Sequence, residues 1–229
     1  HGAVNMEKAV AQSCNIYFYQ AIQSVPLEKW VETCRNFGFG KITHIDLPEE
    51  KSGLIPDRKF LNTQYGKWGW SKGTMLNLAL GQGEILVTPL QLLQFANLIA
   101  THGYTNKLHF HYGTKEELFL SINYSNKTWK LLDRFLLAAV SQPGATGKLA
   151  DPHIKGLEVY GKTGTAQNPH GEPHAWFFGF GKYGDEIISV VVLIENGGHG
   201  SEVSAPIAQS AFYTYFSNKY IDQFTYGNN

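Results

Sequence analysis

The sequence predicts an α+β fold in which helices come first and an antiparallel sheet with one final helix comes last. Apolar residues recur at helical spacing before about residue 150, whereas short β-branched or aromatic runs follow from residue 157. The regular strand–helix alternation of a doubly wound sheet is missing from the pattern. We therefore expect one domain over residues 1–229, helical over about 1–150 and carrying the sheet and final helix over about 151–229.

Residues that suit a helix start define the elements of the first part. Asn5 can cap a first helix, and the apolar pattern then breaks at Ser13-Cys14-Asn15 before it resumes. Residues 41–75 are rich in Gly, Pro, Lys and Trp and predict an irregular segment. The later helices are expected to begin at Pro26, at Thr88–Pro89 and at Thr128.

Three short runs predict the strands of the last part. These are Leu157–Tyr160, Ala175–Phe178 and Ile187–Ile194, each bounded by Gly or Asp. Tyr183-Gly184-Asp185 has the composition of a tight turn and predicts a hairpin between the last two strands. Pro206 is expected to open the final helix, which would pack back onto the sheet.

The composition favours a folded protein and excludes several functions. Hydrophobic residues make up 43% of the 229 residues, which is enough to form a core. The 19 Lys and Arg balance 19 Asp and Glu, so the chain lacks the basic surface that nucleic-acid binding requires, and we expect no nucleic-acid partner. The longest apolar stretch, Ile187–Ile194, is interrupted by Ser189 and is much shorter than the roughly 20 residues of a membrane span.

The strongest chemical motif is Lys162-Thr163-Gly164-Thr165-Ala166, which continues a predicted strand. A lysine flanked by two hydroxyls on a strand suits a carboxylate pocket, because the ammonium supplies charge and the hydroxyls supply hydrogen-bond donors. Gly164 would let a ligand approach the backbone. The alternative is an exposed polar hairpin, since Lys-Thr-Gly alone is common.

A second motif, Ser13-Cys14-Asn15, lies at the break between two predicted helices. Its hydroxyl and amide, two positions apart, can point into one cleft, where Ser13 could relay a proton and Asn15 could hold a substrate amide. The alternative is a helix-capping pair, because Ser and Asn both favour that position. Gly81-Gln82-Gly83 lacks the residues of a phosphate loop and is expected to form a tight turn behind the site.

Together, Ser-x-Asn followed about 150 residues later by Lys-Thr-Gly-Thr resembles the second and third signatures of penicillin-recognising serine acyltransferases. More narrowly, the chain resembles the C-terminal part of the transpeptidase domain of class B penicillin-binding proteins, of the elongation-type penicillin-binding protein 2 family. The similar segments occur in the right order along nearly the whole chain: His1–Asn5, Ser13–Gln20, Gly38–Gly40, Ile45–Glu49, Gly81–Gly83, Thr88–Gln91, Lys162–Gln167, His174–Phe177 and Glu195–His199.

The resemblance implies a penicillin-binding/β-lactamase-like transpeptidase fold and an enzyme that cross-links peptidoglycan through an acyl-enzyme. Stem peptides ending in D-Ala-D-Ala would be its substrates and β-lactams its inhibitors. It further implies an N-terminal membrane anchor outside this chain, a periplasmic location on the outer face of the bacterial cytoplasmic membrane, and membrane proteins of the elongation machinery as partners.

Residue roles follow from the same resemblance. Ser13 would relay a proton toward the leaving nitrogen, and Asn15 would bind the substrate side amide. Lys162 would raise the positive potential and assist Ser13. Thr163 and Thr165 would bind the terminal carboxylate beside Gly164, and the Thr165 N–H would form half of the oxyanion hole, whose electrostatic stabilisation is usually the largest catalytic effect in such sites.

The family's first signature, Ser-x-x-Lys, is missing from this sequence. No serine of this sequence is followed three residues later by lysine. Since the resemblance places that motif upstream of His1, the nucleophile and its lysine are expected to lie outside this chain, which alone would be inactive. Two other interpretations stay open: a non-catalytic ligand-binding or partner-binding module, and a serine β-lactamase or carboxypeptidase of the same superfamily.

A structural zinc ion is the only cofactor that the resemblance raises, and none is required for the reaction. Some elongation-type members have a zinc site of two upstream acidic residues, a histidine and a cysteine, and the last two match His1 and Cys14. Zinc accepts such mixed ligands. The alternative is a free terminus and a buried cysteine that packs as a small apolar residue.

Overall fold

The computed structural model describes residues 1–225 and has α+β architecture. A 3₁₀ turn at Lys148–Ala150 separates the helical part from the main sheet. The helices are α1 (Met6–Ala11), α2 (Asn15–Ile22), α3 (Leu27–Asn36), α4 (Arg58–Tyr65), α5 (Lys72–Ala79), α6 (Pro89–Ala100), α7 (Asn126–Ser141) and α8 (Ser204–Thr225), and the strands are β1 (Tyr104–Asn106), β2 (Leu118–Ser121), β3 (Leu157–Ala166), β4 (His174–Tyr183) and β5 (Glu186–Ile194).

The main sheet is antiparallel with strand order β3-β4-β5, so the predicted sheet and hairpin are confirmed. Tyr183 pairs with Glu186, which leaves Gly184 and Asp185 as the two-residue turn. Gly184 has a φ of +59°, the left-handed conformation that glycine adopts without steric cost. All three strands are longer than the apolar runs that predicted them, and β3 extends through the Lys-Thr-Gly motif.

The two faces of this sheet pack against different helices because side chains alternate along a strand. Phe177 packs with Phe212 and Phe216 of α8. Phe180, on the other face of β4, packs with residues of α6 and α7, including Trp129. Lys162 lies opposite Phe178 in the register and so shares the face that meets the helical part.

Two helices were not predicted from the sequence. Residues 41–75, expected to be irregular, contain α4 and the start of α5. Asp57 caps α4 by accepting a hydrogen bond from the Phe60 N–H (2.9 Å), and Ser71 and Thr74 form a capping box at α5. Both helices have only eight residues, which is too few for a clear helical periodicity of apolar residues. Their capping residues were therefore the only sequence feature that could have predicted them.

Helix starts were otherwise predicted to within two residues. Asn5 caps α1, and Thr88 forms a capping box at α6 with Pro89 as the first helical residue. The predicted start of α7 at Thr128 was wrong: Ser125 is the cap and accepts a hydrogen bond from the Thr128 N–H (3.2 Å). Similarly, α8 begins at Ser204, two residues before Pro206.

A third group of apolar residues joins α3, α4 and α5. It includes Leu27, Val31, Leu61 and Leu78. Over residues 1–225, no helix combines the length and apolar character that a membrane span requires.

Candidate active site

The turn Gln12–Cys14, which we call the elbow, joins α1 to α2 and brings Ser13 to the candidate active site. Ser13 has a φ of +51°, an uncommon conformation for a residue with a side chain, and such residues often occur at functional sites. Cys14, not Ser13, is the N-cap of α2, and its buried side chain (4% exposed) makes no capping hydrogen bond. The capping interpretation of the Ser-x-Asn motif therefore fails, because the Ser13 hydroxyl is directed at other groups.

Lys162 reaches the elbow from β3. Its ammonium donates hydrogen bonds to the Ser13 hydroxyl, to Thr146 Oγ1 (3.3 Å) and to the Thr163 carbonyl (3.0 Å). These acceptors are neutral, so no carboxylate compensates for the loss of hydration. Desolvation accordingly lowers the pKa of Lys162 to about 8 from its ordinary value of 10.5.

The two threonines of the β3 motif have different hydrogen bonds. The Thr163 hydroxyl donates to Thr146 Oγ1 (2.8 Å), so its proton is directed into the protein. The Thr165 hydroxyl accepts a hydrogen bond from the Gly200 N–H (3.4 Å), which leaves its own proton available to a ligand. Thr165 is thus the better placed of the two to donate to a carboxylate in this structure.

A cavity of about 490 Å³ brings all of the residues of the two motifs together except Cys14 and Ala166. Its lining includes Ser13, Asn15, Lys162, Thr163, Gly164 and Thr165. We call this cavity the cleft. Helical and sheet parts of the chain both contribute to it, and clefts between such elements are common places for ligand sites.

Gln82 also lines the cleft, and sequence reasoning missed its role. Its side-chain amide donates to the Thr165 carbonyl (2.8 Å) and accepts from the Gln167 N–H (3.2 Å). The carboxamide therefore pairs with the outer edge of β3 as a peptide bond of a neighbouring strand would. Gly81 and Gly83 both have positive φ, so the predicted tight turn is present, but it lies at the cleft and not behind it.

Other cleft residues left little signal in the sequence. Thr146, in the loop after α7, hydrogen-bonds to both Ser13 and Lys162, yet it belongs to no recognisable motif. His199 and Ser201 also line the cleft. The sequence could have indicated the position of this loop only through α7, because a helix that packs against the sheet brings the loop after it close to the sheet.

A larger, mainly apolar cavity of about 970 Å³ adjoins the cleft, and we call it the apolar cavity. The two cavities share six lining residues: Leu80, Gln82, Lys162, Thr163, Gly164 and Thr165. The other lining residues of the apolar cavity include Leu86, Leu92, Trp176 and Phe178. His174 and Trp176 also line the apolar cavity.

The proposed zinc ligands meet at a third cavity, of about 840 Å³, which is lined by both His1 and Cys14. In the described part of the chain, however, no group of three or more His, Cys, Asp or Glu side chains could hold a metal ion. Two ligands are fewer than the four that structural zinc takes. These residues do not form a zinc site by themselves, and the zinc site stays a prediction for a longer polypeptide.

Comparison with known proteins identifies the family of the chain. The family model for the penicillin-binding protein transpeptidase domain matches residues 1–213. Peptidoglycan D,D-transpeptidase MrdA of Acinetobacter baumannii is 30% identical over 93% of this chain, and MrdA of Haemophilus influenzae is 28% identical over 96% of it. The matches span 34% and 37% of those two proteins, so this chain covers about a third of their length.

A solved structure has the same fold. The chain superposes with a TM-score of 0.83 and 31% identity on the penicillin-binding protein (PBP2) of Helicobacter pylori, solved in a complex with MreC, over 97% of this chain and 41% of that one. Sequence and fold therefore agree, and the chain belongs to the penicillin-binding protein transpeptidase domain family, in its penicillin-binding protein 2 group.

Proposed function

We propose that this chain forms the proton-relay and substrate-carboxylate side of a peptidoglycan D,D-transpeptidase site that cross-links stem peptides during cell elongation. One observation carries the proposal: Lys162 and Ser13, which lie 149 residues apart in sequence, are hydrogen-bonded inside one cleft. A structural role alone would not need a desolvated ammonium with neutral acceptors at the floor of a cavity.

The Lys162–Ser13 pair suits proton transfer near neutral pH. General acid–base groups are most effective when their pKa lies near the working pH. With a pKa of about 8, the Lys162 ammonium is mostly protonated at pH 7 but loses its proton more readily than an exposed lysine. It can therefore return a proton to Ser13 after Ser13 has given one to a leaving amine nitrogen.

The edge of β3 suits the end of a D-Ala-D-Ala peptide. The ammonium of Lys162 and the hydroxyl of Thr165 offer charge and a donor to its terminal carboxylate. The Thr165 carbonyl points away from β4, toward Gln82. In an antiparallel strand the N–H of a residue points to the same side as its carbonyl, so the Thr165 N–H also faces outward, where it can stabilise an oxyanion.

The acyl-forming serine is proposed to come from a longer polypeptide. No Ser-x-x-Lys occurs in the sequence, and the relatives are about three times as long as the part that this chain matches. A helix carrying that serine would find an apolar surface and Lys162 together in the apolar cavity. We propose this cavity as its place, and we propose that β-lactams acylate the longer protein there.

Mass spectrometry with a penicillin tests the function. The 229-residue chain should gain no mass, since it lacks the nucleophile, whereas a protein extended upstream to include Ser-x-x-Lys should gain one penicillin. In that longer protein, Lys162→Ala should slow acylation far more than it lowers the melting temperature. An adduct on the short chain, or equal acylation rates for the Lys162→Ala variant, would contradict the proposal.

A non-catalytic module is the second candidate, favoured by the missing Ser-x-x-Lys. Translation of the coding DNA upstream of His1 separates the two candidates. A Ser-x-x-Lys together with an N-terminal membrane anchor would support the enzyme, and a full-length protein without that motif would support the module. Hydrolysis of the penicillin adduct at a high turnover would instead indicate a β-lactamase.

Location and partners follow from the proposed function. The Helicobacter pylori protein was solved in a complex with MreC, and we propose that membrane proteins of the elongation machinery are partners of this protein as well. Peptidoglycan lies outside the cytoplasmic membrane, so the site is proposed to work on that membrane's outer face, in the periplasm.

A further inference from the structure

Thr146 occupies a fixed position beside the elbow. It lies in the loop between α7 and the 3₁₀ turn, where its N–H donates to the carbonyl of Ala11 (3.1 Å), the last residue of α1. The next N–H, that of Gly147, donates to the Ala139 carbonyl of α7 (2.9 Å). The loop is therefore held by both helices, and the Thr146 side chain points at the cleft, which it lines.

The hydroxyl of Thr146 has no spare acceptor capacity. A hydroxyl oxygen has two lone pairs and one proton. Thr146 Oγ1 accepts from the Thr163 hydroxyl (2.8 Å) and from the Lys162 ammonium (3.3 Å), which uses both lone pairs. Its remaining contact, 3.3 Å to Ser13 Oγ, is therefore the one to which Thr146 donates its proton.

The same count fixes the proton of Ser13. Ser13 Oγ accepts from the Lys162 ammonium and, by the preceding step, from Thr146, so its two lone pairs are both used. In the described part of the chain its hydroxyl has no other hydrogen-bond partner. The Ser13 proton is left to point into the cleft.

We propose that Thr146 is a positioning residue that sets the direction of this hydrogen-bond network, so that Ser13 faces the cleft as a proton donor. Without the Thr146 hydroxyl, Ser13 would have a free lone pair, and nothing would oblige its proton to face a ligand. The network holds while Lys162 is protonated. Besides Lys162, His199 is the titratable side chain that lines this cleft, and the acceptors around the ammonium are neutral.

The catalytic use of this arrangement rests on the proposed function. In that reaction Ser13 would give its proton to the leaving amine nitrogen and take one from Lys162, whose neutral amine then regains a proton from solvent. Thr146 contributes no proton in this sequence and acts only through the orientation of Ser13.

Neutron diffraction from crystals of the deuterated 229-residue chain, grown below pH 8, tests the direction of the network. We expect deuterium on Thr146 Oγ1 directed at Ser13 Oγ, and the Ser13 deuterium directed into the cleft. Deuterium on Ser13 directed at Thr146 would overturn the proposal. No variant is required, so the test does not depend on a mutant that folds.

An NMR titration of the Lys162 side chain gives a second, independent readout. Thr146→Val should lower the pKa of Lys162 by about one pH unit, because the ammonium loses an acceptor and keeps the same burial. Thr146→Ser, which restores the hydroxyl, should leave the pKa unchanged, as should the control Thr63→Val at an exposed helical position.

Two outcomes of the titration would overturn the proposal: a wild-type pKa in Thr146→Val, or a Thr146→Ser variant whose pKa falls like that of a variant without the hydroxyl. If Thr146→Val does not fold, the neutron experiment still tests the proposal, because it uses the wild-type chain. Both experiments use the chain without a ligand, so a negative result counts against Thr146 and leaves the proposed transpeptidase function to its own test.

Discussion

At the level of single residues, the main feature of the cleft is the Lys162 ammonium, which is buried away from water. Lys162 has three acceptors for its three protons, and none of them is charged. Desolvation therefore dominates the pKa of Lys162. Asp57, by contrast, has a lowered pKa because the Phe60 N–H and Arg35 stabilise its charge. The lost hydration of the Lys162 ammonium costs folding stability.

The cost predicts how stability changes with pH. The pKa of Lys162 is about 8 when folded and near 10.5 when unfolded, so between these values the unfolded chain binds more protons, and the free energy of unfolding rises with pH. Relative to Lys162→Met, wild type should gain about 2–3 kcal/mol between pH 8 and pH 10.5. Urea unfolding of both proteins at several pH values measures this difference.

The control for that experiment is Lys29→Met. Lys29 is exposed and paired with Glu32, which raises the pKa of Lys29. Wild type should therefore show no gain in unfolding free energy relative to Lys29→Met between pH 8 and pH 10.5. A wild-type curve parallel to that of Lys162→Met across this pH range would show that the ammonium carries no such penalty.

At the scale of the element, the end of β3 is held by a side chain and not by a strand. Gln82 bonds to both the Thr165 carbonyl and the Gln167 N–H at the outer edge of β3. On the other side the register with β4 continues to Ala166 and His174. The strand that carries the cleft motif is thus fixed by backbone pairing on one edge and by a single carboxamide on the other.

Replacing Gln82 should loosen this end of β3 without unfolding the sheet. In Gln82→Ala, amide hydrogen exchange at Gln167 should accelerate roughly fivefold, because one hydrogen bond contributes about 1 kcal/mol. Exchange at Val159, in the core part of β3, should not change. Gln23→Ala, which removes an exposed carboxamide bonded to the Tyr19 carbonyl, is the matched control. Unchanged Gln167 exchange would mean that Gln82 does not hold the strand.

For the whole molecule, features that depend on neighbouring residues could be predicted from the sequence, whereas features that depend on long-range contacts could not. Asn5, Thr88 and the turn at Gly184 were predictable because a cap or turn depends on a few neighbouring residues. The cleft was predictable only through two motifs that resemble a known family. The roles of Thr146 and Gln82 could not be predicted. The hydrogen-bond partners of Thr146 lie 16 to 133 residues away in sequence and those of Gln82 lie 83 to 85 residues away, and no local pattern encodes such contacts.

The apolar cavity leads to the last prediction. It has a volume of about 970 Å³ and is lined by Leu92, Trp176 and Phe178, while Leu86 at its rim is 61% exposed. Exposed apolar surface of this kind marks a binding site or an aggregation risk. The 229-residue chain should therefore bind the dye ANS and have low solubility, and a protein extended upstream should bind less dye and melt at a higher temperature, because the added segment would cover this surface.

Trp176 locates the dye within the molecule. In Trp176→Ala the dye fluorescence of the short chain should change, whereas Trp68→Ala, at an 88% exposed position that is not part of the cavity lining, should leave it as in wild type. Equal dye binding by the short and extended proteins would contradict the prediction, because it would mean that the upstream segment does not occupy the apolar cavity. Dye binding that falls in the extended protein while its melting temperature stays the same would show coverage without the stabilisation expected from burying apolar surface.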